Sequence, residues 1–363
     1  MQEELVAWVK RSWKPLAAGA VIVFAIIGGL IWYAVSGIGR RDTQVLSTQY
    51  SGATTTQDGT DQAKQKPRAL DGVLVDPSAM QLSRFAVMID NHPDAKPQSG
   101  LAEANLVYEI PVEGGLTRFM AVFDASSTVP QIGPVRSARL YFEEFARGLG
   151  AVYAHVGGSP EALEKAKTWK DFKDVNEFYA GSSFWRGKAR VAPHNVYTKI
   201  ELLRDLEQKK KWDAGSFTSW KYTTESAASN TKAIPVPVIS YPAELPITWT
   251  YEASSGMYTR KDGKLLKKDL EGKIVQAANV IVLETTGQTI DDYGRLAVRT
   301  TGKGPVTVYR QGKELKGLWK RIDGEHIRFE TIDGADLYLQ PGPSWIQVVL
   351  PGMVSVTTSA SVQ

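Results

Sequence analysis

The chain of 363 residues carries an uncharged apolar stretch near its start, residues 16–38 (LAAGAVIVFAIIGGLIWYAVSGI). At helical rise, about 20 apolar residues cross a hydrocarbon core of about 30 Å. Basic residues flank the stretch on both sides, and a first helix usually keeps its basic N-terminal flank inside. The sequence therefore predicts a single-pass membrane anchor over 16–38, a cytoplasmic segment over 1–15, and an extracytoplasmic bulk.

A cleaved signal peptide is the alternative, because Ala34-Val35-Ser36 resembles a small-residue cleavage site. The apolar core of a signal peptide usually spans about 7–15 residues, which is shorter than this stretch. We therefore expect a retained anchor and a location in the cell membrane.

Cysteine content and charge exclude several classes of function. The chain has no cysteine, so disulfides, thiolate metal sites, cysteine nucleophiles and a lipid-modified N-terminal cysteine are excluded. A net charge of +4 is too mild for a dedicated nucleic-acid binder. The expected partners are the membrane and a cell-wall polymer, a lipid phosphate or another envelope protein.

Composition divides the rest of the chain into segments. Residues 39–80 are rich in Ser, Thr, Gln and Gly and are predicted to be a flexible linker. Apolar strand patterns alternate with helical spacing over 81–222, which predicts an α/β domain with a mixed, partly parallel sheet and flanking helices. A linker over 223–242 precedes short alternating strands over 243–352, typical of a small antiparallel all-β domain. Residues 353–363 are predicted to be a disordered tail.

Individual elements of the α/β domain can be placed from the same patterns. Ser159 and Pro160 are predicted as the N-cap and first residue of one helix, and Asn195 as the cap of another. The predicted strands cover 85–89, 105–110, 116–123 and 151–156, and the other predicted helices cover 138–147 and 196–209.

Several long motifs resemble the YerB-like family of bacterial envelope proteins, many of them lipoproteins, whose function is unknown. They are FAVMIDNHPDAKPQSGL (85–101), VYEIPVEGGLTRFMAVF (107–123), IGPVRSARLYFEEFA (132–146), YAHVGGSPEAL (153–163) and APHNVYT (192–198). The resemblance covers nearly everything after residue 80 and implies an N-terminal α/β and a C-terminal β-rich domain. It implies no activity, and this chain has an apolar stretch in place of a lipidated cysteine.

A shorter segment is similar in its order of elements to the LytR-CpsA-Psr envelope phosphotransferases. That resemblance implies arginines that grip a lipid pyrophosphate and an Asp-bound magnesium ion. The counterparts here would be Asp90, Arg136 with Arg139, and residues 153–158. Asn105 stands where an acid is expected, which counts against intact chemistry.

Arg136 and Arg139 are the strongest local signal for a binding site. They are three residues apart, and a helix is expected to begin near Ser137, which would place both on one helical face. Arginine at a helix start is unfavourable unless an anion, or carboxylates such as Asp90 and Glu113, lie between the two groups. An ordinary buried network of arginines and acids is the alternative.

The other candidate ligand-binding residues lie near predicted strand ends, where α/β sheets place ligands. Arg118 would point into an otherwise apolar face and needs a carboxylate partner. His155 is either a core residue or a ligand contact, and His92 is expected to be a turn residue. The remaining candidates are Asp90, Asn91, Glu109, Gly157, Gly158, Ser159, His194 and Asn195, of which the glycine turn could offer backbone N–H groups to a phosphate.

Two classes of function follow. The first is an envelope module that binds an anionic ligand or a partner protein through the arginines. The second is an envelope-polymer enzyme, a phosphotransferase or hydrolase, with Asp90, Glu113 or His155 as candidate catalytic residues. No metal site is assigned and no cofactor is expected, although a divalent cation such as magnesium would accompany the enzymatic alternative.

Overall fold

The computed structural model describes residues 65–80, 82–225 and 233–357. The predictions for the anchor and for most of the first linker lie outside these residues. None of the helices in the described ranges combines the length and apolar character that a membrane crossing requires.

Helices are few and strands are many in the described ranges. The α-helices are α1 (Leu140–Gly148), α2 (Pro160–Thr168) and α3 (Ile200–Lys210). The strands, in chain order, are β1 (Lys66–Pro67), β2 (Leu74–Val75), β3 (Arg84–Asp90), β4 (Leu106–Pro111), β5 (Thr117–Asp124), β6 (Val152–His155), β7 (Lys173–Asn176), β8 (Trp185–Arg186), β9 (Val196–Tyr197), β10 (Val238–Ser240), β11 (Ile247–Glu252), β12 (Met257–Asp262), β13 (Leu265–Leu266), β14 (Gln276–Ala277), β15 (Asn279–Glu284), β16 (Gly287–Thr289), β17 (Leu296–Val298), β18 (Gly302–Arg310), β19 (Lys313–Arg321), β20 (Arg328–Thr331), β21 (Ser344–Val349) and β22 (Ser355–Thr357).

A ten-stranded mixed sheet forms the centre, in the order β20-β19-β18-β15-β21-β4-β5-β3-β6-β7. The pairs β15–β21, β21–β4, β3–β6 and β6–β7 are parallel, and the other neighbours are antiparallel. The mixed, partly parallel sheet agrees with the predicted fold class. Because β21 pairs with β4, strands from both predicted domains share this sheet.

The middle of the sheet is buried on both faces. Strands β3, β4 and β5 are buried along their whole length, which explains their nearly continuous apolar sequence. On one face, Tyr108 stacks on Phe145 of α1 with ring centroids 4.8 Å apart. On the other face, Trp345 contacts Phe119 at 5.4 Å and Trp249 of β11 at 5.5 Å.

The second layer is an antiparallel sheet in the order β13-β12-β11-β10-β22, with β14 also paired to β12. This arrangement agrees with the predicted antiparallel character of the C-terminal region. Strand β10 lies inside the predicted linker and β22 inside the predicted tail. The structure differs from the prediction there because Val238 and Ile239 are buried and β10 pairs with β22.

The last predicted helix begins later than expected. Val196 and Tyr197 form β9, and α3 begins at Ile200, so Asn195 is not its cap. The chain stays extended because Thr198 and Ile132 exchange two backbone hydrogen bonds of 2.8 and 3.0 Å. The other predicted cap is confirmed, since Ser159 Oγ accepts a hydrogen bond from the third residue of α2.

Candidate functional site

The predicted arginines lie at the carboxyl end of β3, beside the short extended segment that precedes α1. The Arg136 N–H donates to the Met88 carbonyl at 2.9 Å, and the Arg136 carbonyl accepts from the Val156 N–H at 3.1 Å. Arg118 on β5 is the register partner of Asp90 on β3. The sheet therefore brings residues from three separate parts of the chain to one edge.

This geometry corrects the predicted start of the first helix. Helix α1 begins at Leu140, and Arg139 is its N-cap, with extended angles of φ −136° and ψ 145°. Arg136 and Arg139 do not share a helical face, because hydrogen bonds to β3 and to the end of β6 hold the preceding segment extended.

Arg139 forms a two-point ion pair with Glu113. Its Nε lies 2.5 Å from Oε1 and its Nη2 lies 2.7 Å from Oε2. Burial raises the pKa of the Glu113 carboxyl, but the hydrogen bonds and charge of Arg139, together with Arg118, outweigh it and hold the pKa below its ordinary value. Glu113 is therefore an ionised partner of arginine.

Arg118 has a weaker share of the same carboxylate. Its Nη2 lies 3.9 Å from Glu113 Oε2, and its Nη1 donates to the Ser137 carbonyl at 2.9 Å. Arg118 was predicted to need a carboxylate partner, and Glu113 fills that role at the long distance of 3.9 Å. Burial, followed by the neighbouring charge of Arg139, lowers the pKa of Arg118 to about 10.

Asp90 connects the arginines to a histidine. Its Oδ2 lies 3.1 Å from Nε of Arg136, an ion pair without hydrogen-bond alignment, and 2.7 Å from Nδ1 of His194. We call Arg118, Arg136, Arg139, Asp90 and Glu113 the arginine cluster. Three guanidinium groups share two carboxylates here, so the cluster carries an excess of positive charge.

An open cavity of about 560 Å³ adjoins this cluster. Arg139, Glu113 and the start of α2 lie on one side of it. Tyr293 and Arg295, from the turn between β16 and β17, lie on the other. The lining is Glu113, Ser137, Arg139, Gly158, Ser159, Pro160, Tyr293 and Arg295.

A pair of stacked imidazole rings lies on the other side of Asp90. The rings of His92 and His194 are 4.6 Å apart and nearly parallel. Asp94 is close to His92, with Oδ2 3.5 Å from Nδ1. We call His92, Asp94 and His194 the histidine site; potential ligand atoms of all three lie within 4.8 Å of one another.

His155 is enclosed and does not line the cavity, so it is the core residue that was one of its two predicted roles and not the ligand contact that was the other. Its side chain is fully buried, Nδ1 lies 2.6 Å from the Gly157 carbonyl, and Nε2 lies 2.6 Å from Asp174 Oδ1. Both nitrogens thus face acceptors and hold β6 to β7 and to the following turn.

The glycine turn differs from the predicted phosphate cradle in its hydrogen bonds. The Gly157 N–H donates to Asn176 Oδ1 at 3.0 Å, and the Ser159 N–H donates to the Ala138 carbonyl at 3.2 Å. Gly158 and Ser159 nevertheless line the cavity. Asn195 lies elsewhere, where its side chain accepts from Arg186.

Glu109 and Asn91 belong to a buried network between the two sheets. Glu109 is fully buried, with Oε2 2.5 Å from Arg260 Nη1 and hydrogen-bonded to Trp345 Nε1 at 2.9 Å. Asn91 donates to Thr117 Oγ1 at 2.8 Å. These contacts join the second layer to the central sheet. Glu109 and Asn91 were predicted to bind a ligand, but their side chains are engaged in this network and are not available to one.

Sequence reasoning missed several residues of this region. Arg260 pairs with Glu109 across 151 positions, and Arg295 and Tyr293 reach the cavity from the C-terminal part of the chain. No local pattern signals such long-range contacts. Asp94 gave a signal that was overlooked, because an acid two residues after His92 in a turn can reach its ring.

The fold and the site define a mixed-sheet protein with a second β layer and a charged cluster at one sheet edge. The family described as "Protein of unknown function (DUF3048)" matches this chain twice: its N-terminal domain over residues 70–213 and its C-terminal domain over 238–346. The chain therefore belongs to this family.

Bacillus subtilis has a relative of this chain in sequence and in structure. The protein named "Putative lipoprotein YerB" in strain 168 is 30% identical over 295 residues, covering 80% of this chain and 88% of that protein. The crystal structure of YerB from Bacillus subtilis matches with a TM-score of 0.71 and 29% identity, covering 80% of this chain and 98% of that chain. The predicted resemblance to YerB-like proteins is confirmed.

The weaker resemblance to LytR-CpsA-Psr phosphotransferases gains no support from the structure. Asn105 lies at the amino end of β4, away from the arginine cluster, where it donates to Asp71 and accepts from the Asp124 N–H. It is a structural residue of the opposite sheet edge.

Proposed function

We propose that this chain is an envelope-associated protein whose extracytoplasmic part binds an anionic group, such as a phosphate or pyrophosphate of an envelope lipid or polymer, at the arginine cluster. The observation that carries the proposal is the sharing of Asp90 and Glu113 by Arg118, Arg136 and Arg139. Guanidinium groups in excess of carboxylates attract anions and hold them with directed hydrogen bonds.

Accessibility also supports the proposal. The side chains of Arg136 and Arg139 are 25% and 12% exposed, and Arg139 lines the open cavity. The first turn of α2 lines the same cavity, and the positive end of the helix dipole favours an anion there. Envelope association rests on the apolar stretch 16–38 and on the name of the relative as a lipoprotein.

The enzymatic alternative has less support. Asp90 and Glu113 are each held by arginine, and His155 is enclosed with both nitrogens engaged. A general base needs an accessible lone pair near its substrate. These groups serve better as positioning and charge-balancing residues for a bound anion.

Calorimetric titration of the purified full-length chain with inorganic pyrophosphate tests the proposal. We expect saturable binding that weakens as salt rises, and at least tenfold weaker binding in Arg139→Gln. Arg328→Gln removes an exposed arginine paired with Glu325 and serves as the charge-matched control. Absence of binding, or equal affinity of Arg139→Gln and the wild type, would contradict the proposal.

A further inference from the structure

We infer that the histidine site binds a divalent transition-metal ion of the zinc type. His92, Asp94 and His194 supply two imidazole nitrogens and one carboxylate, with potential ligand atoms within 4.8 Å of one another. This donor set suits zinc and its neighbours, leaving one position open in a tetrahedral site. The inference does not rest on anion binding at the arginine cluster, although Asp90 contacts both sites.

His194 is oriented as metal-binding histidines are. Its Nδ1 lies 2.7 Å from Oδ2 of Asp90, and a carboxylate only accepts, so Nδ1 carries the proton. The lone pair of a neutral ring is then on Nε2, away from Asp90. A carboxylate behind the ring fixes the tautomer and raises the basicity of the ligating nitrogen.

The ligand atoms of His92 and Asp94 are already separated by about the distance expected for two ligands of one zinc ion. Their Nδ1 and Oδ2 atoms are 3.5 Å apart, and ligands about 2.1 Å from a tetrahedral zinc ion are separated by about 3.4 Å. Among the described residues, His92 Nδ1 accepts one long hydrogen bond, of 3.3 Å, from the Asp94 N–H. An ion would replace that weak contact.

Closing the site requires only movement of surface side chains. The side chains of His92 and Asp94 are 39% and 72% exposed, whereas His194 is 11% exposed and is anchored by Asp90. Two exposed ligands, His92 and Asp94, can therefore change rotamer to meet the anchored His194. Arg136 beside Asp90 opposes the cation, so we expect Arg136→Gln to bind zinc more tightly than the wild type.

The composition of the chain makes the test specific. It has no cysteine and four histidines. Of the other two, His155 has both ring nitrogens engaged by the Gly157 carbonyl and Asp174, and His326 is packed between Phe217 and Trp220. Histidine-dependent zinc binding by the folded chain must therefore use His92 and His194.

The experiment is calorimetric titration of chelator-treated full-length protein with Zn²⁺, repeated with Co²⁺ while its visible absorption is recorded. We expect one zinc ion per chain, at least tenfold weaker binding in His92→Ala and His194→Ala, and about 10- to 100-fold weaker binding in Asp90→Asn. Cobalt should give the absorption of a tetrahedral site, and Mg²⁺ should not compete.

Asp94→Asn should weaken zinc binding, and Asp292→Asn, which changes an exposed acid of the β16–β17 turn, should not. Circular dichroism of each variant establishes that the fold is kept. Absence of zinc binding in the wild type, or wild-type zinc affinity in His92→Ala or in His194→Ala, would overturn the inference.

Discussion

Because of Glu143, we expect the stability of this protein to fall as pH rises from about 4.5 to about 9. It lies on α1 with its side chain fully buried, and among the described residues neither carboxylate oxygen has a hydrogen-bond partner. Burial, followed by the charge of Asp174 and other nearby acids, raises the pKa of Glu143 to about 9. The folded protein therefore keeps this proton through neutral pH.

The sign of the effect follows from proton binding. An unfolded glutamate releases its proton near pH 4.5, so between about pH 4.5 and 9 the folded state holds the extra proton. Stability then falls as pH rises, by about 1.4 kcal/mol per pH unit. From pH 5 to pH 8 the loss of stability amounts to about 3–4 kcal/mol. This value is an upper limit, because the protein can relax around the ionised Glu143 and lower the cost of its buried charge.

Glu143→Gln removes the titrating group while keeping the size of the side chain. The free energy of unfolding of the variant and of the wild type is measured with urea at pH 5 and at pH 8. The variant-minus-wild-type difference should be about 3 kcal/mol larger at pH 8 than at pH 5. A constant cost of the buried amide cancels in this comparison. Glu164→Gln, on the exposed face of α2, should show no such pH dependence. An equal difference at both pH values would refute the reasoning.

Three further changes test the fold. Glu109→Gln removes one of the two carboxylates that pair with the buried Arg260, the other being Asp262 at 2.8 Å, and should cost about 2–3 kcal/mol in urea unfolding. A loss below about 1 kcal/mol would contradict the role of the Glu109–Arg260 pair. Burial, followed by the charge of Arg328, lowers the pKa of His326 to about 4. The wild type should therefore lose stability as pH falls from about 6.5 to 4, and His326→Gln should lose less. Equal acid sensitivity of the two melting temperatures would count against this expectation. Gly148→Ala would place a Cβ 2.2 Å from the Glu325 carbonyl oxygen and should lower the melting temperature. Gly181→Ala, the control, would place a Cβ with no atom within 4 Å and should leave the melting temperature unchanged. Similar melting temperatures of the two variants would exclude the close approach at Gly148.

The sequence predicted those parts of the fold that depend on local pattern. Strands β3 to β5 were expected because their apolar runs are nearly continuous, and Ser159 was expected as a cap because Pro160 follows it. The insertion of β21 beside β4 joins positions far apart in the chain, and no local pattern encodes it.

The sequence predicted which residues form the candidate site better than it predicted their geometry. Arg118 was expected to need an acid, and Glu113 lies within 3.9 Å. Helix α1 begins later than predicted because two hydrogen bonds override helical spacing: the Arg136 N–H donates to the Met88 carbonyl, and the Val156 N–H donates to the Arg136 carbonyl. Tertiary contacts decided this conformation, as they commonly override propensity.

The affinity of Glu113→Gln for inorganic pyrophosphate tests the central claim most directly. Removing this carboxylate frees Arg139 and Arg118 from their shared partner. If the cluster attracts anions, one fewer negative charge within about 4 Å should tighten binding about fivefold even at high dielectric. If the arginines serve only to hold the scaffold, Glu113→Gln will lose stability while its pyrophosphate affinity stays at or below that of the wild type. That result would contradict anion binding at the arginine cluster.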